Sequence, residues 1–308
     1  MDLVKPDPSF FMAIQMEKGK DQVGHFFLGI VVLTWGINFG IVKSAYQDIS
    51  PVLFAAIRFT VSGIVIFLLT FWRERSISIR KEDLGMVAAV GGMGLGLYQI
   101  LWSLGLNLTS ASNSALILST QPLLGTLYMD LIKKESVGKR QYLGMILALG
   151  GVTLVILKPT VKLHFSLDTL SGDLLTLVAG LCAAIFFSAW SKPLLRIYSP
   201  LRLMGHCMII GSLALWLATL LLPQSVAWGQ IGVEAWGSLG YAIFFAGVLG
   251  HICWYEGIGR IGVTKSLTYL YFIPICAVLF NNLLMGEKIF LQQIIGGALI
   301  LWGVHRSL

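Results

Sequence analysis

This sequence is short of charge. Asp, Glu, Lys and Arg make up 12% of its 308 residues and hydrophobic residues 56%, against ~25% charged in a soluble domain. It also lacks the strings that announce common enzymes and motors. No Walker A, GxSxG or HExxH pattern occurs, so neither an ATP-driven pump nor a familiar hydrolase can be read from it. The four cysteines, Cys182, Cys207, Cys253 and Cys276, fall in apolar stretches without CxxC or metal-ligand spacing and read as buried small hydrophobes. A signal peptide is not legible either. Residues 1–22 hold Asp2, Asp7, Glu17 and Asp21, with no apolar core before a small-residue cleavage site. Residues 1–23 read as a polar cytoplasmic tail, with Phe10, Phe11 and Met12 placed to touch lipid.

What fills the chain is a series of ten long apolar stretches, starting near Gly24, Pro51, Asp83, Ser110, Gly138, Ser171, Pro200, Glu234, Val263 and Phe290. Most run about 18 to 24 residues, which spans ~30 Å of hydrocarbon at 1.5 Å per residue. A membrane barrel would need roughly 10-residue alternating segments, and Leu28–Trp35 and Leu174–Trp190 do not alternate. The fold class is therefore all-α integral membrane, with ten transmembrane helices.

The net charge of +7 follows the membrane rather than a nucleic acid. With the N-terminus inside and ten spans threaded, 17 of the 22 Lys and Arg residues fall on inner segments and four on outer ones. The outer four are Lys43, Lys158, Lys162 and Lys288, and Arg58 is left inside a span. That bias is the positive-inside rule, with both termini cytoplasmic in a cell (inner or plasma) membrane.

The two halves repeat. At an offset of 152, Trp102 falls on Trp254, Gly105 on Gly257, Ser114 on Ser266 and Pro122 on Pro274. Glu135 likewise falls on Glu287, Gln141 on Gln293, Gly144 on Gly296 and Gly151-Val152 on Gly303-Val304. Nearer the start the offset is 149, so that Ser50-Pro51 meets Ser199-Pro200; each pair reads as an N-cap followed by proline at the first helical position. The repeats cover residues 24–157 and 170–308, joined by an external linker at 158–169. Five spans per repeat is an odd number, so the second copy is inverted, as in many secondary transporters with a midplane site.

These residues carry a resemblance. Leu108-Thr109-Ser110-Ala111 through Pro122 to Lys134-Glu135, Gly144 and Gly151-Val152 is similar to the end of an EamA domain. Gly262-Val263-Thr264 through Pro274, Gly286-Glu287-Lys288, Gly296 and Gly303-Val304 resembles a second copy. From about Phe27 to Val304 the chain resembles the EamA family of the drug/metabolite transporter superfamily. The resemblance implies a basket of ten helices with termini inside, and export of amino acids, other metabolites or toxic compounds.

Several residues are candidates for the work. Arg58 is the one base deep in a span. It either binds a substrate carboxylate or serves as a structural arginine on helix-end carbonyls. On the eighth span His251 and Tyr255 share a face, with His251 the better proton carrier and a satisfied buried histidine the alternative. Glu256 reads as a surface pair with Arg260. Trp102 and Trp254, with Tyr98, Gln99 and Tyr255, read either as paired lids of an alternating-access pore or as an interfacial belt. Pro122 and Pro274 free backbone carbonyls in mid-span, and Ser119, Thr120, Gln121 and Tyr271 lie within one turn of them; the substrate is expected there. Gly36-Gly40 and Gly92-Gly96 are GxxxG pairs, for packing within the bundle or, less simply, a weak homodimer. Glu135 and Glu287 read as structural helix-end groups.

The function expected is secondary transport of a small molecule through the lipid bilayer, with protons as a candidate coupling ion. No cofactor, metal or nucleic-acid partner is implied, and the protein is read as a monomer or weak homodimer. A membrane-embedded enzyme or a non-transporting receptor or scaffold is the rival class. An enzyme would call for paired intramembrane carboxylates, whereas Asp130, Glu256 and Glu287 all lie near span ends.

Overall fold

Hydrocarbon offers no hydrogen-bond partners, so chain crossing it must satisfy its backbone internally. The computed structural model is accordingly almost all helix; its described backbone covers residues 8–157, 166–222, 226, 228–286 and 288–308. The first half runs α1 (Pro8–Asp48), α2 (Pro51–Glu74), α3 (Lys81–Leu108), α4 (Ala111–Leu118 with Gln121–Leu131) and α5 (Lys139–Ile156). The second runs α6 (Leu170–Leu194), α7 (Pro200–Leu221), α8 (Val233–Ile261), α9 (Val263–Leu283) and α10 (Leu291–Ser307). Seven of these are long and apolar enough to cross a membrane: α1 over Asp21–Val42, α2, α3, α6, α7, α8 and α9. By that measure α4, α5 and α10 fall short, so seven of the ten expected crossings meet it.

Two local expectations change. The residues read as a tail are helical from Pro8, continuous with the first span. Ser199 caps α7 by accepting from the Arg202 N–H at 3.1 Å, but Ser50 makes no side-chain cap bond at the start of α2, where Pro51 alone marks the first turn. Glu287 and most of the linker, residues 158–165, lie outside the described residues.

The helices pack as a repeat demands. The most extensive contacts are α1 with α8, α5 with α10, α3 with α6 and α2 with α7. Of these, α5–α10 and α2–α7 join equivalent helices of the two halves, and α1–α8 and α3–α6 exchange when the halves are swapped. The glycines show the same reciprocity at atomic scale. A Cβ on Gly144 would meet the Gly303 carbonyl at 2.5 Å, and one on Gly296 would meet the Gly151 carbonyl at 2.6 Å. Gly144 and Gly296 are repeat mates, as are Gly151 and Gly303, so one contact is the image of the other, as a two-fold axis requires. Gly36 meets Cys276 of α9, and Gly96 meets Ala214 and Gly211 of α7, so these small residues serve contacts inside the bundle.

Three spans loosen in the middle. α3, α6 and α8 contain π-helical segments at Gly92–Leu97, Ala183–Ala189 and Ala242–Gly250. Those in α3 and α8 occupy equivalent positions in the two repeats. Pro122 and Pro274 sit just after equivalent breaks in α4 and α9, the second a 3-10 turn at Tyr269–Phe272. Such breaks are tolerated only where protein, rather than lipid, surrounds the backbone.

The glycine crossing is testable. Ala is a better helix former than Gly by ~1 kcal/mol. At Gly150, where nothing lies within 4 Å of an added Cβ, Gly150→Ala should leave thermal stability in detergent unchanged or raised. Next door, Gly151→Ala puts a Cβ 2.6 Å from the Gly296 carbonyl and should destabilise by about 1–3 kcal/mol, lowering the melting temperature. Equal melting temperatures for the two variants would remove the crossing from its place in the fold.

Candidate functional site

The π-helical part of α8 ends at His251, and a buried aromatic cluster surrounds it. His251 Nδ1 lies 2.8 Å from the Ala246 carbonyl and 3.0 Å from that of Gly247. A carbonyl cannot donate, so Nδ1 carries the proton and holds carbonyls that the π-turn leaves short of partners. Trp35 of α1 packs tilted against the His251 ring, centroids 5.1 Å apart, and donates its Nε1–H to the Ala246 carbonyl at 3.1 Å. Phe59 of α2 and Phe187 of α6 present their rings edge-on to His251 at 5.9 and 5.8 Å. Trp254 packs on Trp35 at 5.5 Å and Tyr255 on Phe187 at 5.2 Å. Gly250 permits this: a Cβ there would fall 2.6 Å from Trp35 Nε1. Trp254 and Tyr255 are fully buried. Two helices from each repeat thus meet in one aromatic plug.

Against the Phe59 ring of this plug lies the buried charge. Arg58 lies deep among neighbouring atoms yet keeps part of its surface accessible, and Tyr46 of α1 and Tyr98 of α3 do the same. These three half-buried polar side chains, on α1, α2 and α3, make up the Arg58 crevice. Tyr46, Tyr98 and His251 are the titratable neighbours of Arg58. Its guanidinium lies 4.4 Å from the Phe59 ring centre. Its Nε is buried without a hydrogen-bond partner, and among the described residues no ion pair reaches it. A lone buried cation carries a desolvation penalty of several kcal/mol.

The other expected residues divide. Tyr98 stacks on Trp102 at 6.4 Å with the rings 6° from parallel, and Trp102 Nε1 donates to Ser114 Oγ at 3.1 Å. At the equivalent place in the second repeat, Trp254 Nε1 has no partner, and Ser266 Oγ donates instead to the Gly262 carbonyl at 2.7 Å. Gln99 is buried, with its Nε2 likewise unpartnered. Ser119 and Thr120 hydroxyls donate to the Leu116 and Ile117 carbonyls, both at 2.6 Å, and so satisfy the break in α4. Tyr271 is buried in a separate core with Met145, Ala148 and Ile300 of α5 and α10. Among the described residues, no hydrogen bond or ring contact links Ser119, Gln121 or Tyr271 to the Arg58 crevice. Glu256 pairs with Arg260 at 2.8 Å, the surface reading. Tyr46, Trp35, Phe59 and Phe187 were not singled out in the sequence.

The two ends of the bundle are tied differently. At the end rich in basic residues, ion pairs join the repeats: Glu74 to Arg202 at 2.7 Å, and Glu135 to Lys192. Tyr198 donates to Asp83 at 2.5 Å beside the Arg80–Asp83 pair. At the opposite end the links are neutral donors on carboxylates, Thr109 to Asp173 at 2.5 Å and the Gly232 N–H to Asp48 at 3.0 Å.

Comparison with known proteins agrees with this architecture. An uncharacterized transporter of Bacillus subtilis, YyaM, is 28% identical over 279 residues, covering 90% of each chain. An uncharacterized transporter of Archaeoglobus fulgidus is 26% identical over 90% of this chain and 96% of its own. A probable terminal-alkyne amino-acid exporter of Streptantibioticus cattleyicolor is 24% identical over 90% of each. One crystal structure superposes with a TM-score of 0.78, covering 94% of this chain and 97% of that one; at 18% identity the likeness shows the fold alone. The model of the EamA-like transporter family matches residues 22–157 and again 170–305, and the chain belongs to that family.

Proposed function

We propose that this protein is a secondary transporter that exports a small metabolite through the cell membrane by alternating access between two inverted five-helix repeats. The observation that carries this is the Arg58 crevice, where polar groups of the first repeat stand over an aromatic plug built from both repeats. α1 to α10 supply ten crossings, the shorter α4, α5 and α10 included. Both termini then lie in the cytoplasm, by the charge bias of the connecting segments. The ion pairs tie the cytoplasmic end shut, the plug seals the path below His251, and the crevice faces outward. The Streptantibioticus relative makes amino acids and their analogues the first substrates to try. Protons are a candidate coupling ion, with His251 in the path, although its bonds to Ala246 and Gly247 equally serve the π-turn. Ser119, Gln121 and Tyr271 then act as hinge residues beside the two prolines rather than as direct ligands.

Transport itself is tested in proteoliposomes loaded with unlabelled amino acids. Counterflow of a labelled amino acid that depends on the protein is expected; a panel of amino acids, their analogues and other small metabolites without any counterflow would leave the rival receptor or scaffold reading standing.

Orientation is tested by single cysteines in whole cells. Positions 81, 133 and 196 should resist an impermeant thiol reagent, and positions 48 and 168 should react. The reverse pattern would overturn the assigned topology.

The tryptophan pair tests the mechanism. Trp254 is packed in the closed end, while Trp102 is only half-buried. Trp254→Ala should shift the population toward the inward-open state, and Trp102→Ala the other way. Cysteine accessibility at positions 99 and 255 reads the shift. Changes of the same sign in both variants, or none, would make the pair interfacial anchors.

A further inference from the structure

We propose that the crevice recognises its cargo through a carboxylate, placed on the open edge of Arg58 with the Tyr46 and Tyr98 hydroxyls as neutral donors beside it; this rests on the transport reading above. Charge comes first. Every described Asp and Glu lies at the margin of an apolar stretch, where most already have partners, among them Glu74, Asp83, Asp173 and Glu256. The titratable neighbours of Arg58 are tyrosines and a histidine. So among the described residues nothing of opposite charge balances the guanidinium, and the negative charge comes from what the crevice binds.

Shape comes second. Phe59 covers a face of the guanidinium at 4.4 Å, while the Nε–H is buried and unpartnered. The edge through Nη1 and Nη2 remains accessible, and its paired donors are what a carboxylate accepts. The number of charges selects among anions. One cation among neutral hydroxyls matches a monoanion, whereas a phosphate dianion would leave a net negative charge in the same place. Below the guanidinium, the Phe59, Trp35 and Phe187 rings around His251 form apolar walls for the rest of the molecule.

The test uses the full chain, purified in detergent, and three matched acid–amide pairs: hexanoate and hexanamide, phenylacetate and phenylacetamide, L-leucine and L-leucinamide. Each amide keeps the shape and loses the carboxylate charge. Binding is read by quenching of tryptophan fluorescence and by the shift in melting temperature. In at least one pair the acid should bind about tenfold tighter or more. Arg58→Gln should abolish the preference and Arg58→Lys should keep part of it. Should Arg58→Gln fail to fold, Tyr98→Phe keeps the ring that stacks on Trp102 and should weaken the acid several-fold while leaving the amide unchanged. Equal binding of acid and amide in all three pairs would overturn the proposal, as would a preference that survives in Arg58→Gln or is untouched in Tyr98→Phe. Acid-selective binding without counterflow would instead count against transport and leave carboxylate recognition in place.

Discussion

Everything in this fold answers to one constraint: a backbone carbonyl in hydrocarbon has nothing to bond to except the protein itself. That is why the apolar stretches are helices. It is also why each departure from regular helix comes with a local remedy. The carbonyls at the α8 π-turn are met by His251 Nδ1 and Trp35 Nε1. The break in α4 is met by the hydroxyls of Ser119 and Thr120. The same logic gathers the irregular segments of α3, α6 and α8 around shared partners inside the bundle, and the polar crevice forms beside them.

Symmetry explains the scaffold and fails, usefully, at the site. The α5–α10 crossing is built twice from the same glycine contact, and the α3–α6 and α1–α8 contacts are images of one another. A duplicated chain need only evolve such a contact once. The crevice has no such image. The repeat mate of Arg58 is Cys207, fully buried and within 4.0 Å of the Tyr255 hydroxyl. Where one half offers a charged, accessible group, the other offers a small plug. The scaffold is two-fold and the Arg58 site is one-sided.

Much of this was legible in the sequence because it is written in local patterns. Apolar run lengths gave the helices, and offsets of 152 and 149 gave the repeat and paired its glycines, though not the contacts those glycines make. Arg58, His251, Trp254 and Tyr255 stood out by chemistry, and the structure does bring them together. What could not be read depends on convergence of distant segments. Trp35, Phe59 and Phe187 come from three helices, and each alone looks like an ordinary apolar residue of a membrane span. Tyr46, near a helix end, looks like an interfacial anchor. The π-turns carry no sequence signature, since they arise from packing. In the polar run beside Pro122 the Ser119 and Thr120 hydroxyls bond carbonyls at the break, and Tyr271 packs with α5 and α10.

An unbalanced guanidinium in the middle of a membrane protein also feels the voltage. Carrying one charge across the full membrane potential involves ~2.3 kcal/mol per 100 mV, and a partial crossing takes the corresponding fraction. Arg58 sits on α2, which packs against α7, and in the alternating-access reading proposed above it moves with that helix. The empty protein would thus reorient as a charged body, whereas one holding a single negative charge on Arg58 would reorient as a neutral one. In such a protein the potential acts on the return stroke alone, and the electrical state of the cell sets how often the site is offered rather than how tightly it binds.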